Sequence, residues 1–181
     1  MKTLVLVFHP DLTASRANRR FTEEMEKQAN VTVHRVYEAY PDENIDVAAE
    51  QKQLENHERI VLQFPFYWYS SPSLLKKWQD AVLTYGWAFG SNGDKLNDKE
   101  LLIAVTTGVD EVGYSPNGSV KYTIPELLRP FQATSNLIGT RYLTPYVVDG
   151  VMQLSDEELE QRAKDYAEYA LSDKLDLLAI R

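Results

Sequence analysis

The amino-acid sequence predicts an α/β protein: a doubly wound parallel sheet of five strands, order 2-1-3-4-5, with helices on both faces. Three observations predict it. The run Thr3-Leu4-Val5-Leu6-Val7-Phe8 is apolar without alternation, as a strand covered on both faces requires. Segments of strand and helix character then alternate to the end of the chain. The aromatic stretch Phe64-Pro65-Phe66-Tyr67-Trp68-Tyr69 follows an apolar strand and precedes a helix, the place where open α/β sheets bind ligands.

The elements follow in order. After strand 1 comes the polar loop His9 to Ala14, then a helix from about Ser15 to Ala29, with Ala17, Phe21, Met25 and Ala29 on one face. Val31 to Tyr37 alternates as a strand, and Asp46 to His57 is a polar helix with a thin stripe of Val47 and Leu54. Arg59 to Phe64 is strand 3, ended by Pro65, which has no N–H for the ladder. A helix from Ser73 to Thr84 places Leu74, Leu75, Trp78, Ala81 and Val82 together, with Ser71 as N-cap and Pro72 as first helical residue. Strand 4, Leu101 to Val105, ends in Thr106-Thr107-Gly108, and an irregular loop runs from Val109 to Lys121. A helix over about Ile124 to Gln132 precedes strand 5, Asn136 to Val148, which Pro145 interrupts. Ser155 and Glu158 form a capping box that opens a helix to about Ala170. No repeat or linker divides the chain, so one domain over residues 1–181 is expected.

Composition narrows the function. The 181 residues are 44% hydrophobic and 25% charged, as in ordinary globular proteins. A formal net charge of −8 disfavours nucleic acid and anionic lipid as partners. Cysteine is absent, which removes thiolate nucleophiles, disulfides and iron–sulfur ligation. His9, His34 and His57 form no i, i+3 or i, i+4 ligand pair, so no metal is expected. The Leu4 to Phe8 run is too short for a signal peptide and no stretch has the length of a membrane span, so the expected location is the cytoplasm.

In the predicted strand order the loops after strands 1, 3 and 4 converge. The first opens a helix with small and polar residues: Ser15 and Asn18 as hydrogen-bond donors, with His9 and Arg16 adding charge or further bonds, which suits a phosphate. Read alone, Ser15 is more simply a helix cap. Three successive aromatics after strand 3 suit a flat aromatic ligand, or else a hydrophobic cluster over the sheet edge. Thr106 to Val109 offers successive backbone N–H groups, with Gly108 allowing close approach. Neither GxGxxG nor GxxxxGK[ST] occurs, and Gly113 to Gly118 has the wrong spacing for a nucleophile elbow.

These pieces together resemble the flavodoxin-like NAD(P)H:quinone oxidoreductases, the family of DT-diaphorase and of the bacterial ancillary flavoproteins of potassium efflux systems. The matching elements are His9 followed by Ser15-x-x-Asn18; Phe64 to Tyr69 followed by Pro72-x-x-Leu75-Lys76-x-Trp78; Tyr85-Gly86-Trp87-Ala88-Phe89-Gly90; Thr106-Thr107-Gly108 with Tyr114; and Ile124-Pro125-Glu126-Leu127-Leu128-Arg129-Pro130-Phe131. The resemblance implies bound FMN rather than FAD, since the carboxy-terminal extension that helps the mammalian enzymes hold FAD is missing. It implies NADPH or NADH as donor and a quinone as acceptor, in a two-electron ping-pong reaction. By the same resemblance Ser15, Arg16, Ala17 and Asn18 hold the phosphate. Pro65, Phe66, Tyr67, Trp68 and Tyr69 contact the flavin ring, and Thr106, Thr107, Gly108 and Val109 its pyrimidine end. Tyr114 is implied as the catalytic residue that stabilises the reduced flavin. Tyr85 and Trp87, with Trp68, are implied to line the substrate pocket, the first two from the second subunit of a homodimer. The chain departs from the family at Val120, where the mammalian enzymes have a histidine, and at Val109, where many relatives have a second glycine. The rival reading is a flavin-binding regulatory subunit docked on a membrane transporter.

Overall fold

The computed structural model describes residues 1–178; Ala179, Ile180 and Arg181, included in the expected single domain, lie outside the described residues. The elements are β1 (Thr3–Val7), α1 (Arg16–Glu26), β2 (Val31–Arg35), α2 (Val36–Ala39), α3 (Val47–Glu55), β3 (Arg59–Pro65), α4 (Ser73–Val82), β4 (Glu100–Thr106), α5 (Ile124–Leu127), α6 (Arg129–Ile138), β5 (Arg141–Tyr142), β6 (Tyr146–Val148) and α7 (Asp156–Leu171). Their order in the sheet is β2-β1-β3-β4-β5, all parallel, with β6 also on β4. This is the predicted 2-1-3-4-5 arrangement.

The unbroken apolar strands feed both faces of the sheet. Leu4, Leu6, Ile60, Leu62, Leu101 and Ile103 pack on one side with Leu54 of α3, Leu75 and Trp78 of α4 and Phe131 of α6. Val5, Val7, Val61, Leu102 and Ala104 pack on the other with Phe21 and Met25 of α1 and Leu159, Ala163 and Tyr166 of α7. A side-chain period of two sends neighbouring residues to opposite layers, so β1 and β3 are buried throughout and β4 from Leu101 onward.

Several boundaries differ from expectation. The fifth strand lane is two pieces: β5 pairs with Glu100 and Leu101, and β6 with Ala104 to Thr106. Between them Thr144 N–H turns away to Asp176 O at 2.9 Å, and Pro145 has no N–H to give. Asn136 to Ile138, expected in that strand, finish α6, which stops at Gly139 in the left-handed conformation at φ 73°. The helix expected over 124–132 is two segments, α5 and α6. Ser71 does not cap α4; Pro72 occupies the cap, and the first-turn N–H of Leu74 donates to Tyr37 Oη at 3.2 Å. Strand 2 ends at Arg35 because Val36 to Ala39 coil into one helical turn, and α1 ends at Glu26 rather than Ala29. Among the described residues no helix is long and apolar enough to cross a membrane.

Candidate active site

A cleft of about 320 Å³ opens at the carboxyl ends of β1, β3 and β4. His9, Ser15, Arg16, Ala17, Asn18, Pro65, Phe66, Tyr67, Thr106, Thr107 and Gly108 line it, joined by Ala14, Val151 and Met152. The parallel register is what brings them together, since β1, β3 and β4 end side by side at Val7, Pro65 and Thr106.

At the first loop, Ser15 is the N-cap of α1 and its Oγ accepts from Asn18 N–H at 3.1 Å. The capping role expected of Ser15 alone is therefore real, and it leaves the hydroxyl proton to donate. Arg16 and Ala17 present first-turn N–H groups with no partner inside the helix. The Arg16 guanidinium turns the other way, to Asp156 Oδ1 and Leu154 O, both at 3.0 Å, so Arg16 enters the cleft through its backbone and not its charge. His9 Nδ1 accepts from Asp11 N–H at 3.2 Å. Burial lowers the His9 pKa against the opposing pull of Asp11, which favours the neutral ring.

Beneath this turn lies a buried polar network. Asn18 Nδ2 donates to Thr106 Oγ1 at 3.0 Å, and Gln63 Nε2 donates to Asn18 O at 3.2 Å and Thr22 Oγ1 at 3.0 Å. Asn18 Oδ1 and Gln63 Oε1 are buried with no hydrogen-bond partner among the described residues. One N–H of Asn18 Nδ2 is taken by Thr106, which leaves the second N–H as a donor and the side-chain oxygen as an acceptor.

The second loop is a tight hairpin. Tyr67 and Ser70 exchange both backbone hydrogen bonds at 3.1 Å. The two residues between them, Trp68 and Tyr69, have φ of 49° and 61°, the signs a type I′ turn requires. Asparagine and glycine usually fill such positions, and a bulky residue there is strained. Trp68 is 92% exposed and Tyr69 49%. Neither lines the cleft itself, whereas Tyr67, the residue before them, does.

At the third loop, Phe66 N–H donates to Thr106 O at 2.8 Å, and Thr107 Oγ1 donates to Val109 O at 2.7 Å, closing the turn after β4. Val109 lies outside the cleft, with its side chain over Gly113, where a Cβ would come within 2.2 Å of Val109 Cγ1. Gly113 thus absorbs the bulk that Val109 introduces. Tyr114 is 7% exposed and meets Phe66 edge to face at 6.1 Å between centroids. It lines a neighbouring cavity of about 470 Å³ with Glu111, Thr123, Ile124, Pro125, Val147 and Asp149. Burial, then the nearby Tyr69 hydroxyl, raises its pKa, so the phenol stays protonated.

A family model described as having a flavodoxin-like fold matches residues 1–170. This chain belongs to that family. General stress protein 14 of Bacillus subtilis (strain 168) is 56% identical over 93% of this chain and 97% of its own length. The uncharacterized NAD(P)H oxidoreductase YrkL of the same organism is 48% identical over the same shares. The glutathione-regulated potassium-efflux system ancillary protein KefG of Pectobacterium carotovorum is 40% identical over 94% of this chain and 93% of its own. Among solved structures, general stress protein 14 of Treponema denticola in complex with FMN matches at TM-score 0.90 and 37% identity, covering 94% of this chain and 98% of that one. An NADPH-quinone reductase from P. pentosaceus matches at 0.88 and 36%, covering 96% and 100%. A chain described as a thermophilic tryptophan halogenase from Streptomycin violaceusniger matches at 0.93 and 51%, covering 94% and 99%.

Within one flavodoxin-like chain, Tyr85 and Trp87 stand at the wrong end of the sheet for this cleft. α4 starts beside the aromatic loop and runs back, so residues 84–93 fall near the starts of the strands. Trp87 Nε1 donates to Glu55 Oε1 at 2.9 Å, at the end of α3 just before β3 begins. Neither residue lines the cleft of its own chain. Val151 and Met152 were not expected from the sequence as cleft residues; the signal available was their place directly after the last strand, at the same carboxyl edge. Gln63 and Thr22, and Glu111, Thr123, Val147 and Asp149 of the Tyr114 cavity, carried no pattern to mark them.

Proposed function

We propose that this chain is a flavin-dependent NAD(P)H:quinone oxidoreductase that uses FMN and moves two electrons from NADPH or NADH to a quinone or similar small acceptor. One observation carries the reading: the three loops after β1, β3 and β4 meet in a single cleft, in a chain of the same fold as a relative solved with FMN. The relatives named as NAD(P)H oxidoreductase and NADPH-quinone reductase supply the donor and the acceptor class. The neighbour described as a halogenase shares this fold at TM-score 0.93, and a shared fold by itself carries no activity across.

The residues fit the cofactor end to end. The start of α1, with the Ser15 hydroxyl and the Arg16 and Ala17 N–H groups, suits a phosphate. The unpartnered Asn18 Oδ1 suits a hydroxyl of the polyol chain. The Phe66–Tyr67 backbone and Thr106 to Gly108 suit the edges of a flat ring. A Cβ on Gly108 would meet only Met152 Cγ, at 3.9 Å, so the protein alone does not require glycine there, whereas a closely approaching ligand does.

When bound, the flavin supplies the hydride chemistry; the chain supplies position, exclusion of water and hydrogen bonds. Trp68 and Tyr69, exposed on the turn that follows the cleft residue Tyr67, offer rings on which a planar acceptor can stack. Tyr114, kept protonated by burial, is the proposed donor toward negative charge at the ring's carbonyl edge. Val120 packs on the apolar core and its side chain carries no exchangeable proton, so it offers Tyr114 no relay partner. Tyr85 and Trp87 complete the substrate pocket from the second subunit of a homodimer in the cytoplasm. The KefG likeness favours one further role, docking on a membrane transporter, which co-purification with a membrane partner would reveal.

The visible spectrum tests the core reading. Purified protein should show flavin bands that bleach on anaerobic addition of NADPH or NADH and return with a quinone. A colourless protein that takes up no FMN would sink it.

A further inference from the structure

Gln63 is a polar side chain in the middle of a central strand, 1% exposed, with apolar neighbours at Leu62 and Phe64. Burying an amide costs free energy unless every valence is used, and Gln63 leaves Oε1 without a partner among the described residues. Its Nε2 reaches across to α1, donating to Asn18 O and Thr22 Oγ1. Neither acceptor depends on it. Asn18 O already receives the Thr22 hydroxyl at 2.8 Å, and Thr22 Oγ1 makes that bond as a donor.

Gln63 is therefore a poor choice for stability, since an apolar side chain of the same volume would strand no group and remove an unpartnered oxygen. Its bonds do fix where the first turn of α1 stands relative to the end of β3. Asn18 joins the same turn to Thr106 at the end of β4. Ser15 and the free N–H groups of Arg16 and Ala17 sit on that turn.

We propose that Gln63 is a positioning residue for the phosphate end of the cofactor cleft: it registers the start of α1 against the sheet and gives up stability for that register. The proposal rests on the flavin reading above. It concerns the phosphate end alone, so comparing FMN with riboflavin, which lacks the phosphate, separates positioning from general loosening.

The experiment uses Gln63→Met, which keeps the volume, and Gln63→Leu as a second variant. The melting temperature of the flavin-free protein and the Kd for FMN and for riboflavin, from flavin fluorescence quenching, are measured for each. The expected result is a melting temperature unchanged or raised, an FMN Kd weakened about tenfold or more, and a riboflavin Kd unchanged. Equal weakening of both flavins, an unchanged FMN Kd, or a fall of the melting temperature by about 8 °C or more in both variants overturns the positioning role. A wild-type chain that binds neither flavin removes the flavin reading, and the proposal with it.

Discussion

The indole Nε1–H of Trp78 on α4 donates to the Glu50 carboxylate on α3 at 2.7 Å. That carboxylate is fully buried and also accepts from Tyr40 Oη at 2.7 Å and meets His34 Nε2 at 2.7 Å. Trp78 in turn packs edge to face on Phe8, directly before the first cleft loop. One carboxylate thus ties α3, β2 and α4 together beneath the aromatic turn.

Burial alone would raise the Glu50 pKa, but its hydrogen bonds outweigh burial and hold it below the ordinary value of 4.5. A carboxylate depressed in the folded state contributes stability that is present above its unfolded value and lost as pH falls through the folded one. Urea unfolding should therefore show wild-type stability declining below about pH 4.5. Glu50→Gln should be weaker at pH 7 by about 1–3 kcal/mol, from lost charge-assisted bonds, and should decline less over the acid interval. Parallel acid profiles for the two proteins would contradict this account.

Ser15 has two separable jobs. Ser15→Ala removes the cap and should cost about 1 kcal/mol, read as a lower melting temperature, together with weaker FMN binding. Ser15→Asp restores the cap, since aspartate accepts from Asn18 N–H equally well, but sets a negative charge where the phosphate is proposed to lie. It should recover the melting temperature and bind FMN worse than Ser15→Ala. An aspartate variant that keeps wild-type FMN affinity would move the phosphate away from α1.

What the sequence revealed and what it hid divide along physical lines. Continuous apolar runs such as Leu4 to Phe8 identify buried parallel strands, and parallel order fixes which loops share an edge, so His9, Ser15, Phe66 and Thr107 could be grouped without coordinates. Periodicity says nothing about where a side chain's hydrogen bonds go. Arg16 is expected to bring charge or further hydrogen bonds to the cleft, and its guanidinium is held by Asp156 while the residue still lines the cleft; Gln63 resembles any strand residue and sits in the polar network under α1. The positive φ of Trp68 and Tyr69 was hidden because neither residue type signals a type I′ turn. Pro145 did mark a break, but one apolar stretch could not show that α6 would take its first residues.

The strained turn gives a trade between stability and function. Replacing Trp68 and Tyr69 together by Asn and Gly supplies the residues that positive φ favours and should relieve about 1 kcal/mol at each position. The melting temperature should rise by about 4 °C or more. Quinone turnover should fall sharply, because the two exposed rings are gone. A double variant that is both more stable and fully active would show that the aromatics serve neither ring stacking nor the acceptor.

Tyr114→Phe isolates a single hydroxyl. The change keeps the ring and its edge-to-face contact with Phe66, so it should leave stability within about 0.5 kcal/mol of wild type. If the phenol donates toward charge on the bound flavin, quinone turnover should drop by roughly tenfold or more, with FMN affinity nearly unchanged. The midpoint potential of the bound flavin should also become more negative, since a donor that favours the electron-rich form is lost. Potentiometric titration of both proteins reads that shift directly. Equal potentials and equal turnover would place the Tyr114 hydroxyl in the neighbouring cavity with Glu111 and Asp149, outside the redox chemistry.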